Sequence, residues 1–220
     1  MDIRALMNSD TSAFGDTGLL VGVMKNEGFL YFNQQQVDDG VPREQLRRIL
    51  RTYVRNVYRY QRQKIYEILL YQYSDWERPR DPDVIRDNLM DMLGDGQITA
   101  PIMDLAHLHA LYRSPTYMYA FHYPSRLDTY PRWAGGVHGD DMTYVFGAPL
   151  ADGIAPFIST YTRQEKMLTE AILTYWTNFM KTGSVYLFMS LLLLLLLAAL
   201  CTRYANLAER SPKLKRSSER

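Results

Sequence analysis

The sequence has little of several features that would assign it to a simple class. Among its 220 residues there is one cysteine, Cys201, so no disulfide can form within the chain. No Asn-x-Ser/Thr glycosylation site occurs, and residues 1–10 contain no apolar stretch long enough for a secretory signal peptide. An excess of charge is also missing, because 25 Lys and Arg oppose 24 Asp and Glu and leave a net charge of +1. The composition therefore gives no general reason to expect nucleic-acid binding.

The apolar content, in contrast, is high enough for a folded protein, since 47% of the residues are hydrophobic and 13% are aromatic. The low net charge also combines two different blocks. Residues 202–220 carry six basic and two acidic side chains, whereas residues 1–201 carry 19 basic and 22 acidic ones. Between them lies an uncharged run of seventeen residues, Val185–Cys201, with seven consecutive leucines.

This leucine-rich run predicts a transmembrane helix over residues 184–202. A helix of that length spans about 26 Å, close to a hydrocarbon core of about 30 Å. The basic flank predicts a cytoplasmic tail at 203–220 and an extracellular part at 1–183, which is a single-pass type I orientation. The alternative, a buried core helix, is disfavoured by the position near a terminus and by the basic flank. Because no signal peptide precedes the extracellular part, we expect either a piece of a longer protein or late insertion directed by the leucine run itself, and we favour the former.

The apolar patterns predict helices that alternate with strands, which indicates an α/β layer structure. Two short runs rich in apolar or β-forming residues, Gly18–Val23 and Thr116–Tyr123, are typical of strands. Asp83 is expected to cap a helix that stops at Gly94-Asp95-Gly96. The predicted helices begin at Pro42, at Val84 and at Pro101, with the last at Arg163–Lys181.

The helix from Pro42 carries two stripes. Apolar residues form the first, and arginines at a spacing of four form the second. The arginine stripe, with nearby tyrosines, is open to two interpretations, an RNA-binding or anionic-lipid surface and a solvated face whose stems cover apolar surface. We favour the solvated face, and the predicted extracellular location also argues against nucleic acid. The stripes are Leu46, Leu50, Val54 and Val57, and Arg43, Arg47, Arg51, Arg55 and Arg59.

Two candidate catalytic residues stand out by order along the chain. Glu27 follows a predicted strand, and His138 lies in a loop about 110 residues later. Acid before histidine is the order in α/β-hydrolase triads, where the carboxylate orients the imidazole that takes a proton from the nucleophile. The spacing alone is a weak signal, because a single Glu and a single loop His are more often structural. His107 and His109, two apart on a helix, face different directions and do not predict a shared metal site.

Several motifs together resemble the C-terminal half of the type B carboxylesterase and cholinesterase family, and within it the neuroligins, an invertebrate one in particular. The resemblance covers about residues 14–183 and implies the C-terminal portion of an α/β-hydrolase fold, followed here by one C-terminal transmembrane helix. Ala100-Pro101 stands where enzymes of the family often carry a cysteine, which is also neuroligin-like. The most specific motifs are His138-Gly139-Asp140-Asp141, Tyr144-Val145-Phe146-Gly147 and Thr174-Tyr175-Trp176-Thr177-Asn178-Phe179.

By this resemblance Glu27 is the family's triad acid and His138 its triad histidine. The Gly-x-Ser-x-Gly nucleophile motif does not occur in the 220 residues. Without a nucleophile and its oxyanion donors the acid and base have no proton to move, so we expect no esterase activity. Neuroligins as a family are adhesion proteins without hydrolytic function. The alternative is a fragment of a membrane-tethered carboxylesterase whose nucleophile lies upstream.

The resemblance also implies a partner. Neuroligins bind presynaptic neurexin through the loop that holds the acid residue, which implicates Lys25, Asn26, Glu27 and Phe29 here. We expect no cofactor and no metal site within the chain, with calcium as the ion associated with the partner interface, where Lys25 introduces a positive charge. The implied location is the plasma membrane on the postsynaptic side.

The resemblance also bears on dimerisation and on the folding of the remnant. The family forms a homodimer through a four-helix bundle, to which about Val84–Arg113 would contribute one half. The other half normally follows the motif at 181–183, where this sequence turns directly into the leucine run. Since the early strands of the fold are absent, we expect an unpaired strand edge and poor autonomous folding.

Overall fold

A computed structural model of the protein describes residues 13–111, 114–124, 130–151 and 160–186. The chain divides into two units, residues 1–169 and 170–220, and the second is described only over 170–186. The predicted transmembrane helix at 184–202 lies outside the described residues except for 184–186, and the predicted tail at 203–220 lies wholly outside them. Within the described part of the chain, no helix is both long enough and apolar enough to cross a bilayer.

Two parallel strands form the sheet of the first unit. Strand β1 is Leu19–Met24 and strand β2 is Thr116–Phe121, so both predicted strands are confirmed, with the second ending two residues earlier than predicted. Their register places Leu19 opposite Thr116 and Met24 opposite Phe121. Parallel strands need a long crossover, and here it contains most of the helices, as in an α/β layer structure. Among the described residues each strand has one neighbour, which leaves one edge of each unpaired.

Seven α-helices are described, and five of them lie in the crossover between the strands. They are α1 (Gln34–Asp39), α2 (Arg43–Val57), α3 (Arg62–Gln72), α4 (Pro82–Gly94), α5 (Ala100–Ala110), α6 (Asp140–Val145) and α7 (Arg163–Thr182). Three members of the predicted apolar stripe of α2, Leu46, Leu50 and Val54, face inward and pack with α3 and α4 into one cluster. The prediction is wrong for the fourth, Val57, which is the last residue of the helix and is 51% exposed. The most buried members of the cluster are Val41, Leu50, Val54, Leu89 and Met92.

Helix α2 ends at Val57 because the backbone leaves the helical region there. Tyr58 is extended, and Gln61 adopts a left-handed conformation with φ of 50° just before α3 begins. The guanidinium of Arg62 then returns to α2 and donates hydrogen bonds to the carbonyl oxygens of Tyr58 (2.7 Å) and Arg55 (3.1 Å). A cation at these unpaired carbonyls favours the end of the helix, since the macrodipole is negative there.

The capping residue of α4 differs from the predicted one. The carboxylate of Asp81, not that of Asp83, accepts hydrogen bonds from the backbone N–H groups of Asp83 (3.1 Å) and Val84 (3.4 Å). Pro82 occupies the first turn, where its missing N–H has no helical partner to lose. The carboxylate of Asp83 is therefore available to pair with Arg86, at 2.8 Å.

The predicted helix stop at Gly94-Asp95-Gly96 is wrong. The backbone continues through a single π-helical turn, Asp95–Thr99, directly into α5. Gly94 itself is right-handed helical, with φ of −62°, so this glycine does not serve as a left-handed cap. Its missing side chain instead permits close approach of another backbone segment, which sequence pattern alone does not distinguish from a helix end.

Candidate functional site

The first element of the site is the turn after β1, which buries a carboxylate. Glu27 begins a 3₁₀ turn, Glu27–Tyr31, and only 4% of its surface is exposed. Its Oε1 accepts a hydrogen bond from the backbone N–H of Met24 at 2.7 Å. A buried carboxylate is stable only when its oxygens have donors, and this bond supplies the first.

The second element is the loop that precedes α6. It runs beside the end of β1 through an isolated parallel bridge between Asn26 and Val137. The backbone N–H of Asn26 donates to the carbonyl of Gly136 at 2.9 Å, and its side-chain amide donates to the carbonyl of Ala134. These bonds place the next residue of the loop, His138, directly beside the turn that carries Glu27.

Glu27 and His138 meet as an acid and histidine pair. Nδ1 of His138 lies 2.5 Å from Oε2 of Glu27, so the second carboxylate oxygen also has a donor. The imidazole is 54% exposed, and its Nε2 has no hydrogen-bond partner among the described residues. A carboxylate that fixes Nδ1 and leaves Nε2 open is the geometry that lets an imidazole take a proton from a nucleophile.

Comparison with known protein families identifies the fold to which this pair belongs. The model of the carboxylesterase family matches residues 4–186. The chain belongs to the carboxylesterase family. The α/β-hydrolase fold predicted from the motifs is therefore supported by the family match and by the parallel strands.

Neuroligins are among the similar proteins, which confirms the predicted resemblance to them. Human neuroligin-2 is 33% identical over 168 residues, which are 75% of this chain and 20% of that protein. Mouse and human neuroligin-3 are each 36% identical over 169 residues, with the same shares of the two chains. The chain thus spans about a fifth of the length of the curated relatives it matches.

A second polar contact, which sequence reasoning missed, joins strand β2 to the start of α6. The phenol of Tyr119, on β2, donates to Oδ2 of Asp141 at 2.6 Å. Burial, followed by this bond to Asp141, raises the pKa of Tyr119 above its usual value. The Tyr119 ring lies over Gly22 of β1, where a β-carbon would come within 2.1 Å of it. Asp141 is the last residue of the quoted motif His138-Gly139-Asp140-Asp141, and this was the available signal.

The start of α6 holds the histidine loop through Asp140. Its Oδ2 accepts a hydrogen bond from the backbone N–H of Val137 at 3.0 Å. Burial raises the pKa of Asp140, and the Val137 bond opposes that shift. Gly139 between the two acidic residues and the histidine has φ of 87°, a left-handed conformation that glycine adopts without strain. The motif therefore encodes the shape of the loop as well as the imidazole.

The residues predicted to contact a partner occupy different positions around the turn. Lys25 is exposed, whereas Glu27 is buried and Asn26 is half-buried with its side chain bonded to the loop. Phe29 is half-buried and packs edge-to-face on Tyr130, with ring centroids 5.3 Å apart. The structure thus makes Lys25 and Phe29 accessible and gives Glu27 an internal role.

An exposed group of apolar side chains surrounds Phe29. The ring of Trp133 lies 6.1 Å from that of Phe29, and Leu30 is 47% exposed. We call this group, with the exposed cation at its edge, the acid-loop surface. It consists of Lys25, Phe29, Leu30, Tyr130 and Trp133.

A buried arginine, also missed from the sequence, supports the acid-loop surface from below. Arg86 of α4 is 5% exposed, and its guanidinium carbon lies 3.9 Å from the centroid of the Trp133 ring. It also donates to the carbonyl of Val37 at 3.0 Å and to the carboxylates of Asp83 (2.8 Å) and Asp87 (2.9 Å). No pattern in the sequence relates Arg86 to Trp133, which lies 47 positions later in the chain. In the fold the same arginine orients Trp133.

Metal ligands are not grouped in the described part of this carboxylesterase-family chain. No cluster of three or more His, Cys, Asp or Glu residues there has the arrangement to hold an ion. His107 and His109 face different directions, as predicted. His109 is 1% exposed, with Nδ1 2.7 Å from the hydroxyl of Thr116 and Nε2 2.7 Å from the carbonyl of Thr17. It is therefore a structural histidine of the sheet.

Proposed function

We propose that this chain acts in cell adhesion as a non-hydrolytic, neuroligin-like membrane protein that binds a neurexin-like presynaptic partner through the acid-loop surface. In the same proposal, residues 184–202 anchor it in the postsynaptic plasma membrane with residues 1–183 outside. The proposal holds whether or not the chain associates with a second copy of itself. The observation that carries the proposal is the division of roles in the turn. The carboxylate of Glu27 holds two loops together internally, while Lys25 and Phe29 are presented outward.

The composition of the acid-loop surface supports a protein partner. Trp133 is 40% exposed and Tyr130 is 37% exposed, and the rings of both lie near that of Phe29. Aromatic residues dominate the energetic centres of protein interfaces because they bury large area with few rotamers to fix. Lys25 adds a cation at the edge, which selects an acidic patch on the partner and reduces the need for a calcium ion there.

Binding through this surface predicts a large effect of removing its aromatic centre. We expect Trp133→Ala in the full chain to weaken binding to a neurexin ectodomain by tenfold or more, since a truncated aromatic centre typically costs at least about 2 kcal/mol. The measurement is a titration of the ectodomain on detergent-solubilised chain, repeated across calcium concentrations. Tyr60→Ala is the matched control, because Tyr60 is 83% exposed and lies outside the acid-loop surface. Equal affinities of both variants, or no binding by the unaltered chain at any calcium level, contradict the proposal.

A second candidate, a piece of a membrane-tethered carboxylesterase, is favoured by one observation. The acid and histidine meet at 2.5 Å with Nε2 open, which is competent geometry for catalysis. For the chain as given we nevertheless expect no turnover, because its sequence contains no Gly-x-Ser-x-Gly motif. Hydrolysis of p-nitrophenyl acetate by the purified chain should equal that of His138→Ala. Turnover that the His138→Ala variant loses would replace the adhesion proposal by the esterase.

A further inference from the structure

Helix α7, which ends just before the leucine-rich run, carries an apolar face that the described residues cover only in part. Its apolar side chains recur every three or four residues, which places them on one side of the helix. Met180 is 72% exposed, and the other five are half-buried. We call these six residues the apolar face of α7. They are Leu168, Ile172, Leu173, Trp176, Phe179 and Met180.

Coverage of this side of the helix is lost toward its C-terminal end. The same side begins with Glu165 and Thr169, which are 3% and 0% exposed and are the two buried residues of α7. Glu165 accepts a hydrogen bond from the backbone N–H of Thr162 at 2.6 Å, and the hydroxyl of Thr169 donates to the carbonyl of Glu165 at 2.7 Å. Polar side chains are thus covered while apolar ones stay open, which reverses the usual arrangement. An apolar face left open in this way indicates contact with a partner or a membrane.

The opposite side of α7 is polar and mainly basic. Its residues also follow one another every three or four positions, and they include three cations and one carboxylate. All are exposed except Thr177, which is half-buried. Long basic side chains next to an apolar face suit a bilayer surface, because their stems lie along the lipid boundary while their charges reach water. These residues are Arg163, Lys166, Glu170, Thr174, Thr177 and Lys181.

The C-terminal end of α7 lies against the start of the leucine-rich run. Nδ2 of Asn178 is 3.5 Å from the carbonyl oxygen of Val185, the first residue of that run. Gly183 lies between them with φ of 71°, and its N–H donates to the carbonyl of Phe179 at 2.8 Å. A left-handed glycine of this kind ends a helix and changes the direction of the chain. A bilayer entered by the run would therefore hold the last turn of α7 at the level of its headgroups.

We propose that α7 lies in the plane of the membrane, with its apolar face among the lipids at the boundary between headgroups and acyl chains. The inference rests on the membrane anchor proposed above and concerns a surface separate from the acid-loop surface. A helix with leucine and aromatic residues on one side and Lys and Arg on the other binds such a boundary at a depth of about 5–10 Å. Trp176 lies in the middle of the face, and an indole is favoured at this level because its ring is apolar and its N–H can bond to a headgroup.

The interfacial helix would add to an anchor that is short by itself. The uncharged run spans about 26 Å as a helix, against a hydrocarbon core of about 30 Å. Helix α7 is not long and apolar enough to cross a bilayer, so its contribution is contact with one leaflet. The buried apolar area of α7 and the span of the run would then both hold the chain on the membrane.

A protein partner accounts for the apolar face but not for its position. Along this side of α7 the exposed fraction rises from 0% at Thr169 to 72% at Met180, and Met180 is in the last turn before the leucine-rich run. Lipid is the apolar material nearest to that turn if the run spans a bilayer. A second copy or another protein gives no reason for the open part of the face to be the part next to the run.

Spin labels on the full chain in phosphatidylcholine vesicles test the proposal. The label is placed at Met180→Cys in a Cys201→Ser background, which removes the one native cysteine. The matched control is Thr174→Cys, on the polar side of the same helix. Oxygen concentrates among acyl chains, and a nickel chelate stays in water. We expect the ratio of oxygen to nickel collisions to be several times higher at position 180 than at position 174.

Two results at these positions would overturn the proposal. Free access of the nickel chelate to both positions would place α7 away from the membrane, and protection of position 180 from both reagents would mean that protein covers the face. A third label, Leu194→Cys, tests the anchor separately because it lies within the leucine-rich run. Poor oxygen access at position 194 contradicts the anchor and this inference together. High oxygen access there with a water-exposed position 180 contradicts this inference alone.

Tryptophan fluorescence provides a second measurement that needs no label. Lipids brominated near the top of their acyl chains should quench part of the emission of the unaltered chain in vesicles. Trp176→Phe should remove most of this quenched component. Trp76→Phe is the matched control, because Trp76 is 62% exposed and lies outside α7, and it should leave the quenched component unchanged. A quenched component that persists in Trp176→Phe would overturn the proposal.

Discussion

Replacement of Gly28 by alanine should destabilise the first unit by at least about 3 kcal/mol, because the new methyl group has nowhere to go. A β-carbon at Gly28 would lie 2.0 Å from the carbonyl oxygen of Met90 and 3.0 Å from the backbone nitrogen of Gly94. Both neighbours are backbone atoms of α4, so no side-chain rotation relieves the overlap. The turn that carries Glu27 would have to move away from α4 as a whole.

The comparison variant for Gly28→Ala is Gly139→Ala, in the histidine loop. Gly139 has φ of 87°, but its nearest atom is the sulfur of Met142 at 3.9 Å, so alanine there is strained without an overlap. Its cost should be about 1–2 kcal/mol, the usual penalty of a left-handed residue with a β-carbon. Urea unfolding of the full chain in detergent, followed by intrinsic fluorescence, measures both. If Gly28→Ala were no more destabilising than Gly139→Ala, the close approach of the turn to α4 would be wrong.

Periodic segments of the fold were predictable from the sequence because their pattern states which face is buried. Leu46, Leu50 and Val54 repeat every four residues and enter the core of α2 as expected. Strand β1 was recognisable as an apolar run bounded by glycines. In both cases the signal is local, because the spacing of apolar residues within one helix or strand shows which of its faces is buried, whichever element packs against it.

Features that depend on contacts between distant segments were not predictable in this way. Gly94 has the same appearance in the sequence as a helix cap, but it lies against Gly28, 66 positions earlier in the chain, and the helix continues past it. Arg86 has no sequence pattern that singles it out, yet the fold places its guanidinium against the ring of Trp133. The juxtaposition of Glu27 and His138 was expected only from their order and from family resemblance, since no local pattern relates residues 111 positions apart.

The geometry of the site also depends on contacts between segments that are distant in the sequence. Gly28 places the turn against α4, the Asn26–Val137 bridge aligns the histidine loop with β1, and the Glu27–His138 bond joins the two. A catalytic acid–histidine pair and a structural bond that holds two loops together both require the contact between Glu27 and His138. We call this structural bond the brace. A member of the family without hydrolysis would therefore still benefit from both residues, because the outward positions of Lys25 and Phe29 depend on the brace.

Replacement of Glu27 by alanine should accordingly cost about 3 kcal/mol of stability and weaken partner binding, although Glu27 is only 4% exposed. The substitution leaves the N–H of Met24 without its buried acceptor and removes the partner that Nδ1 of His138 has among the described residues. Glu27→Gln provides the matched comparison. Its amide oxygen can still accept from Met24, and its amide N–H can donate to Nδ1 if the imidazole proton moves to Nε2.

The glutamine variant should therefore retain most of the stability and most of the partner affinity, with the change visible in the nitrogen NMR shifts of His138 as an exchange of the protonated ring nitrogen. A catalytic role predicts losses in both variants, because glutamine, like alanine, removes the negative charge that stabilises a protonated imidazole. Comparable binding by the wild type and Glu27→Gln, with a loss in Glu27→Ala, supports the brace. Equal losses in both variants would mean that the partner or the reaction needs the carboxylate charge, and the internal role assigned to Glu27 would be wrong.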